Sequence, residues 1–177
     1  PTFNQPLTTH RVESVLADIF QAEAAVLVQG AGTGAIRAGL AALLQPGSTL
    51  MVHEAPVYPT TQVVVEQMGI PLVKVDYNDL AALRRAITHY HPAAALIQPT
   101  RQRPSDHYPL ADVVEAFTEK GIPTLTDDNY AVMQVPRIGC EYVATLSPFS
   151  CFYLVGPEGA GAVACSHAQV SAVKQPR

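Results

Sequence analysis

A glycine-rich loop, GAGTGA at residues 30–35, follows an apolar run and opens a helix-like pattern. In such a loop the backbone N–H groups at the helix N-terminus point toward a bound anion, and Gly30, Gly32 and Gly34 let that anion come close. The spacing differs from the dinucleotide-binding fingerprint, and no lysine follows as it does in a P-loop. The loop therefore predicts a phosphate site, with a tight turn that requires glycines as the alternative.

Two carboxylates end another apolar run, in the sequence DDNY at residues 127–130. Charge at the end of a buried strand calls for a cationic partner, and a protonated ring nitrogen would satisfy Asp127 or Asp128. Tyr58, just before Pro59 at the start of a helix pattern, could stack on a planar ring. The alternatives are an Asx-type turn for the carboxylates and ordinary packing for the tyrosine.

Helix and strand patterns alternate along the chain and must position these loops. Repeated βα units predict an α/β fold of three layers, α/β/α, in which a mostly parallel sheet is covered by helices on both faces. Ligands bind at the carboxyl ends of the strands in such a sheet, and the loops discussed here would meet at that edge. The predicted helices are 11–22, 33–47, 59–69, 78–92 and 109–121, and the predicted strands are 24–28, 49–53, 71–76, 93–98, 122–128, 141–146 and 161–165.

The first predicted helix carries apolar residues at helical spacing. Val12, Val15, Leu16 and Ile19 recur at i, i+3, i+4 and i+7, which predicts that these side chains form its buried face.

Composition narrows the classes of partner. The 177 residues are 48% hydrophobic, which predicts one domain over residues 1–177. A formal net charge of -4 with 15% charged residues excludes a basic surface for nucleic acid or membrane, so we expect a small-molecule partner. No signal-like segment is present, which favours a cytoplasmic protein, and the cysteines and histidines lack metal-site spacing. The start at Pro1 and the helix-like C-terminus predict a fragment of a longer protein.

Taken together, these loops resemble the large domain of the fold-type I pyridoxal-phosphate enzymes, the aspartate aminotransferase-like superfamily. Within it the sequence is most similar to a bacterial group of uncharacterised aminotransferase-like proteins. The resemblance implies pyridoxal 5'-phosphate as cofactor, an amino acid as the small-molecule substrate, and a homodimer that builds each active site across its interface. Transamination, elimination and racemisation share this cofactor chemistry, so a transferase or a lyase is implied equally.

The resemblance also assigns a phosphate site and a ring-stacking residue. The sequence GTGA is similar to the loop that holds the cofactor phosphate, which carries that role onto Gly32, Thr33 and Gly34. Ser150 resembles the serine that also binds the phosphate. Tyr58 occupies the position of the aromatic residue that stacks on the pyridine ring.

The remaining cofactor contacts implied by the resemblance involve the ring nitrogen and the ring hydroxyl. The sequence DxxY at 127–130 is similar to the motif whose aspartate pairs with the ring nitrogen, which makes Asp127 the first choice and Asp128 the second. Tyr130 and Gln98 match positions that contact the ring hydroxyl, although Gln98 stands where the family has asparagine.

Tyr153 occupies the position at which the family has its Schiff-base lysine. The stretch SCFYLVGPEG at residues 150–159 resembles a family motif that reads S-C-F-K-L-x-G-P-E-G, and a phenol cannot form an imine. This motif places none of the lysines of the chain, Lys74, Lys120 and Lys174, at that site. Three hypotheses follow: the large domain of an enzyme, inactivated or altered at Tyr153; a pyridoxal-phosphate-binding pseudoenzyme without catalysis; and a scaffold that binds no cofactor.

Family members are longer than this chain and have an additional N-terminal segment and a C-terminal small domain. The small domain supplies the arginine that binds the substrate carboxylate. In this chain Arg101 and Arg103 are candidates for that role, with surface solvation as the alternative.

Overall fold

The computed structural model describes residues 7–100 and 103–175. A seven-stranded sheet organises the chain, with the strand order β1-β7-β6-β5-β4-β2-β3. The strands are β1 (Ala24–Gln29), β2 (Leu50–His53), β3 (Leu72–Val75), β4 (Ala94–Ile97), β5 (Thr124–Thr126), β6 (Leu146–Ser150) and β7 (Ala160–Cys165). The helices are α1 (Leu7–Ile19), α2 (Ala31–Leu43), α3 (Pro59–Gln67), α4 (Leu80–Tyr90), α5 (Leu110–Thr118) and α6 (Val170–Lys174).

The sheet is mostly parallel, as the sequence predicts. Strands β3, β2, β4, β5 and β6 run parallel to one another, and β7 is antiparallel to both β6 and β1. Strand β1 therefore has the same direction as β6. The carboxyl ends of six strands meet at one edge, which brings together the loops that follow β1, β2, β4, β5 and β6.

Helices cover both faces of the sheet, which confirms the predicted three-layer α/β/α architecture. One face contributes alternate strand residues such as Val26, Val52 and Leu125 to a core with α2, α3 and α6. The opposite face contributes residues such as Met51 and Ala25, which pack with α4, α5 and α1. Alternation along each strand sends successive side chains to opposite layers, so both faces of these apolar strands are buried. No helix in the described ranges has the length and apolarity needed to cross a membrane.

The predicted strand at 141–146 is wrong. Residues Gly139–Tyr142 form a 3₁₀ turn, and the strand begins at Leu146 and continues to Ser150. Val143 closes that turn with φ 66°, a left-handed conformation outside the β region. The polar residues Ser147 and Ser150 concealed the true strand, although both are buried.

The predicted buried face of the first helix is also wrong. Val12, Val15 and Ile19 are 45%, 54% and 47% exposed, whereas Leu16 is buried. The buried side of α1 instead includes Glu13, whose Oε1 accepts a hydrogen bond of 3.0 Å from the Leu27 N–H of β1. Contact with the neighbouring strand therefore decides which side of this helix faces inward.

Candidate functional site

A cavity of about 370 Å³ opens at the carboxyl edge of the sheet. Its volume falls in the range of small-molecule sites, and its walls come from the loops after β1, β2, β5 and β6. The predicted site residues that line it are Gly32, Thr33, Tyr58, Asp127, Tyr130, Ser150 and Tyr153. The lining residues that the sequence analysis did not single out are Ala31, Thr60, Asn129, Phe152 and Glu158.

The N-terminus of α2 presents unpaired backbone donors to this cavity. Gly30 caps the helix with φ 90°, and the N–H groups of Gly30 and Ala31 donate to the Gly159 carbonyl at 3.0 and 3.1 Å. Among the described residues, no carbonyl accepts the next two N–H groups, those of Gly32 and Thr33. Two free donors at the positive end of a helix can accommodate an anion.

Two glycines of this loop serve different purposes. A Cβ atom on Gly32 would lie 1.9 Å from Asn129 Oδ1, so any side chain would collide with the cavity wall. A Cβ atom on Gly34 would lie 1.9 Å from the Gln29 carbonyl oxygen. Gly34 therefore permits close packing of α2 on β1, and it is not among the described residues that line the cavity.

Ser150 faces the cavity from the end of β6. Its Oγ accepts a hydrogen bond of 3.2 Å from the Phe152 N–H, which caps the short 3₁₀ turn Cys151–Leu154. A hydroxyl that accepts one bond still has its own proton to donate. Ser150 can therefore donate to an anion beside Gly32 and Thr33.

Asp127 is a buried carboxylate at the cavity wall, with 6% of its surface exposed. It accepts hydrogen bonds from Thr61 Oγ1 at 3.2 Å and from the Asn129 side-chain Nδ2 at 2.8 Å. Burial raises the pKa of Asp127, and these hydrogen bonds oppose the shift. Among the described residues, no lysine, arginine or histidine forms an ion pair with it. The arrangement would be stabilised by a cationic group in the cavity.

Asp128 points into the protein and is not among the described lining residues. It accepts from Thr126 Oγ1 at 2.6 Å and from the Gly139 N–H at 3.2 Å, and so ties the end of β5 to the 3₁₀ turn Gly139–Tyr142. Burial raises the pKa of Asp128 to about 7. Of the two carboxylates, the geometry brings Asp127 to the cavity.

Asn129 presents a buried acceptor without a partner. Its Nδ2 donates to Asp127, and since a carboxylate only accepts, this bond fixes the orientation of the amide. Its Oδ1 is buried and has no hydrogen-bond partner in the described structure. The sequence signal for this residue was its place inside DDNY, directly after the two carboxylates.

Three tyrosines form an aromatic wall of the cavity. The ring centroids of Tyr58 and Tyr130 are 5.4 Å apart, and those of Tyr130 and Tyr153 are 5.1 Å apart. The hydroxyl oxygens of Tyr58 and Tyr130 lie 2.5 Å from each other. That hydrogen bond is the main cause of a raised pKa at Tyr58, and a hydrogen bond with Tyr153 is the main cause of a raised pKa at Tyr130.

Other predicted residues lie away from the cavity. Gln98 is not among the described lining residues, and its backbone carbonyl accepts a hydrogen bond of 2.7 Å from the Tyr108 hydroxyl. Arg103 lies 3.4 Å from Glu54 in an exposed ion pair. Arg101 falls outside the described residues.

The lysines of the chain lie elsewhere. Lys74 is exposed on the edge strand β3, and Lys120 lines a separate cavity beside Pro92 and Ile122, which precede β4 and β5. The Lys174 Nζ is 3.5 Å from Glu13 Oε2, beneath α1. None of the three lines the cavity that contains Asp127 and Tyr153.

Comparison with known proteins gives a close relative. The chain is 64% identical over 163 residues to the uncharacterized protein YhfS of Escherichia coli (strain K12). The alignment covers 92% of this chain and 45% of YhfS. The crystal structure of YhfS, described as a pyridoxal-5'-phosphate-dependent protein, has a TM-score of 0.95 and 60% identity over 98% of this chain and 48% of that chain. The chain thus spans about half the length of these relatives.

More distant structures share the fold alone. A cystathionine γ-lyase from Micromonospora echinospora, 20% identical, has a TM-score of 0.80 over 96% of this chain and 45% of that chain. A ureidoglycine–glyoxylate aminotransferase from Bacillus subtilis, 14% identical, has a TM-score of 0.77 over 94% of this chain and 45% of that chain.

The family assignment rests on the sequence match itself. A model of the aminotransferase class I and II family matches residues 2–148, most of the chain. The expected relationship to the fold-type I pyridoxal-phosphate enzymes is confirmed, and this chain belongs to the aminotransferase class I and II family.

Proposed function

We propose that this chain is the cofactor-binding large domain of a pyridoxal-phosphate-dependent, aminotransferase-like or lyase-like enzyme that acts on an amino acid. The observation that carries the proposal is Asp127, a buried carboxylate that faces the cavity without a cationic partner among the described residues. Burying a charge in this way is costly unless a ligand compensates it. A protonated ring nitrogen provides that compensation.

The residues around Asp127 fit the rest of the cofactor. The free N–H groups of Gly32 and Thr33, together with the Ser150 hydroxyl, supply donors for a phosphate at the positive end of α2. Tyr58 supplies an aromatic face on the same cavity.

Each of these residues has a task in such a site. When bound, pyridoxal 5'-phosphate supplies an electron-withdrawing ring that stabilises negative charge on the carbon beside a substrate amino group. Asp127 keeps a proton on the ring nitrogen, and Asn129 holds the Asp127 carboxylate in place through its 2.8 Å hydrogen bond. Thr61 restrains the other carboxylate oxygen at 3.2 Å. Tyr130 would contact the ring hydroxyl, as the resemblance to the family implies.

Tyr153 favours a second candidate function, a site that binds the cofactor without covalent attachment and without catalysis. Its phenol lies at the cavity where the family has a lysine, and the three lysines of the chain do not line that cavity. Both candidates require the same binding residues, and they differ only in whether an amine reaches the cofactor.

The activity of the whole protein is part of the proposal. Because the chain spans about half the length of its relatives, an amino-acid substrate, a homodimer and a cytoplasmic location are inferred for the longer protein. An arginine for the substrate carboxylate would then come from outside the cavity described here.

The experiment that tests the proposal is a titration of the purified chain with pyridoxal 5'-phosphate, followed by borohydride reduction and mass analysis. Saturable binding with a stoichiometric reduced adduct on Lys74, Lys120 or Lys174 that is lost in Asp127→Asn would support the enzyme. Saturable binding without an adduct would support the non-covalent site. Absence of binding would overturn both. The exposed Asp18→Asn variant on α1 serves as a control that keeps the site unchanged.

A further inference from the structure

Away from the donors at the N-terminus of α2, the charged side chains of the cavity are negative, and no cationic side chain among the described residues balances them. Its charged lining residues are Asp127 and Glu158, and no lysine, arginine or histidine is among the described lining residues. Position 153, where an amine would add charge, carries a neutral phenol. The side chains of this wall therefore favour a ligand that brings its own positive charge.

One acceptor beside the same wall has no partner, and the backbone of Gly32 lies against it. Asn129 Oδ1 is buried and has no partner in the described structure, and its amide cannot turn because Nδ2 is held by Asp127. A buried acceptor left without a hydrogen bond destabilises the structure that contains it.

We propose that this site, given the proposed function on which the inference rests, selects the amine form of the cofactor, pyridoxamine 5'-phosphate, over the aldehyde form. An aminomethyl group is an ammonium at neutral pH and offers three donors and a positive charge. An aldehyde brings no positive charge to a wall whose charged side chains are the carboxylates Asp127 and Glu158. With no lysine at the cavity, the aldehyde also lacks the covalent capture that would offset this disadvantage.

Calorimetric titration of the full chain at pH 7.5 tests this selectivity. The probes are pyridoxamine, pyridoxal and pyridoxine 5'-phosphates, in which the alcohol is the uncharged match for the amine. We expect the amine to bind about tenfold more tightly than the alcohol, because hydrogen bonds to charged groups are stronger than neutral ones by about that factor. Equal binding of all three, or tighter binding of the aldehyde, would overturn the inference and leave the proposed function intact. Failure of all three to bind would overturn the proposed function itself.

Charge neutralisation at the rim provides a second, independent measurement. Glu158→Gln should reduce the preference for the amine over the alcohol by about two- to fivefold, the range for an exposed charge pair. Glu115→Gln removes the same charge from the exposed side of α5 and should leave the preference unchanged. An identical response in the two variants would mean that net charge, and not this cavity, determines the preference.

Reversal of the preference gives the sharpest check. In Tyr153→Lys the new ammonium repels the amine form, and its neutral fraction condenses with the aldehyde with loss of one water. Borohydride then reduces the C=N bond to a stable amine, which mass analysis detects on residue 153. We expect the variant to prefer the aldehyde form. A variant that folds and still prefers the amine would contradict the role given to position 153.

Discussion

Replacement of Asp127 by asparagine should move ligand binding and apo-protein stability in opposite directions. Asparagine keeps the shape of the side chain and an oxygen that can accept from Asn129 Nδ2, which now contacts the carboxylate at 2.8 Å. The charge that would pair with a ring nitrogen is lost. A hydrogen bond to a charged group contributes about 1.5–3 kcal/mol, so pyridoxal 5'-phosphate should bind roughly 10- to 150-fold more weakly.

The free protein should respond in the other direction. Burial raises the pKa of Asp127 above its ordinary value, so folding favours the protonated carboxyl group. The contribution of this group to stability is therefore fully present below its unfolded pKa and is lost as pH rises through its folded pKa. Asp127→Asn removes that loss, and the free energy of unfolding of the ligand-free variant should equal or exceed that of the native chain at pH 7.5.

Calorimetry for binding and urea denaturation for stability measure the two effects on the same preparations. Asp128→Asn is the neighbouring control, since Asp128 does not line the cavity in the described structure, and Asp18→Asn is the remote control. Weaker binding in Asp128→Asn together with unchanged binding in Asp127→Asn would refute the choice of Asp127. A large loss of stability in Asp127→Asn would refute the argument that the buried Asp127 carboxylate lacks a cationic partner in the ligand-free protein.

Three further changes test other parts of the structure. For Asp128, whose pKa is raised to about 7, stability should fall as pH rises from about 4 through about 7, and Asp128→Asn should flatten that dependence in urea denaturation at several pH values. Gly32→Ala should abolish detectable phosphate-ester binding in calorimetry, because the new Cβ would lie 1.9 Å from Asn129 Oδ1. Gly159→Ala is the control: its Cβ would have no atom within 4 Å, so this variant should stay folded with native stability. Val155→Gly should raise the free energy of unfolding by about 0.5–1 kcal/mol, because Val155 has φ 60° and is 99% exposed; a loss of stability would contradict this account of backbone strain.

Much of the fold could be predicted from short-range patterns. Alternating apolar strands and amphipathic helices specified the α/β class and the mostly parallel sheet, because periodicity and turn residues are local properties. Loops that follow parallel strands must share an edge, and GAGTGA and DDNY both reach the cavity at that edge. The incorrect strand prediction also had a local cause. The serines in residues 146–150 interrupt the apolar pattern of the true strand. Val143 adopts a left-handed conformation that is unusual for a β-branched residue, so the sequence did not indicate a turn there.

Other features depended on partners distant in the sequence. The apolar spacing of α1 allows more than one inward face, and its contacts with β1 selected the face that includes Leu16 and leaves Val12 exposed. Adjacent carboxylates look equivalent in DDNY, but one strand end directs Asp127 to the cavity and Asp128 to the Gly139 turn.

By itself, the sequence determined the fold class, the glycine-rich loop proposed to bind phosphate and the absence of a lysine at position 153, because these depend on residue types and their spacing. Only the tertiary structure decided which carboxylate faces the cavity, that Asn129 Oδ1 lacks a partner, and that Lys74, Lys120 and Lys174 lie elsewhere. The reason is physical: the direction of a side chain and the pairing of a buried atom are determined by strands and helices far away along the chain.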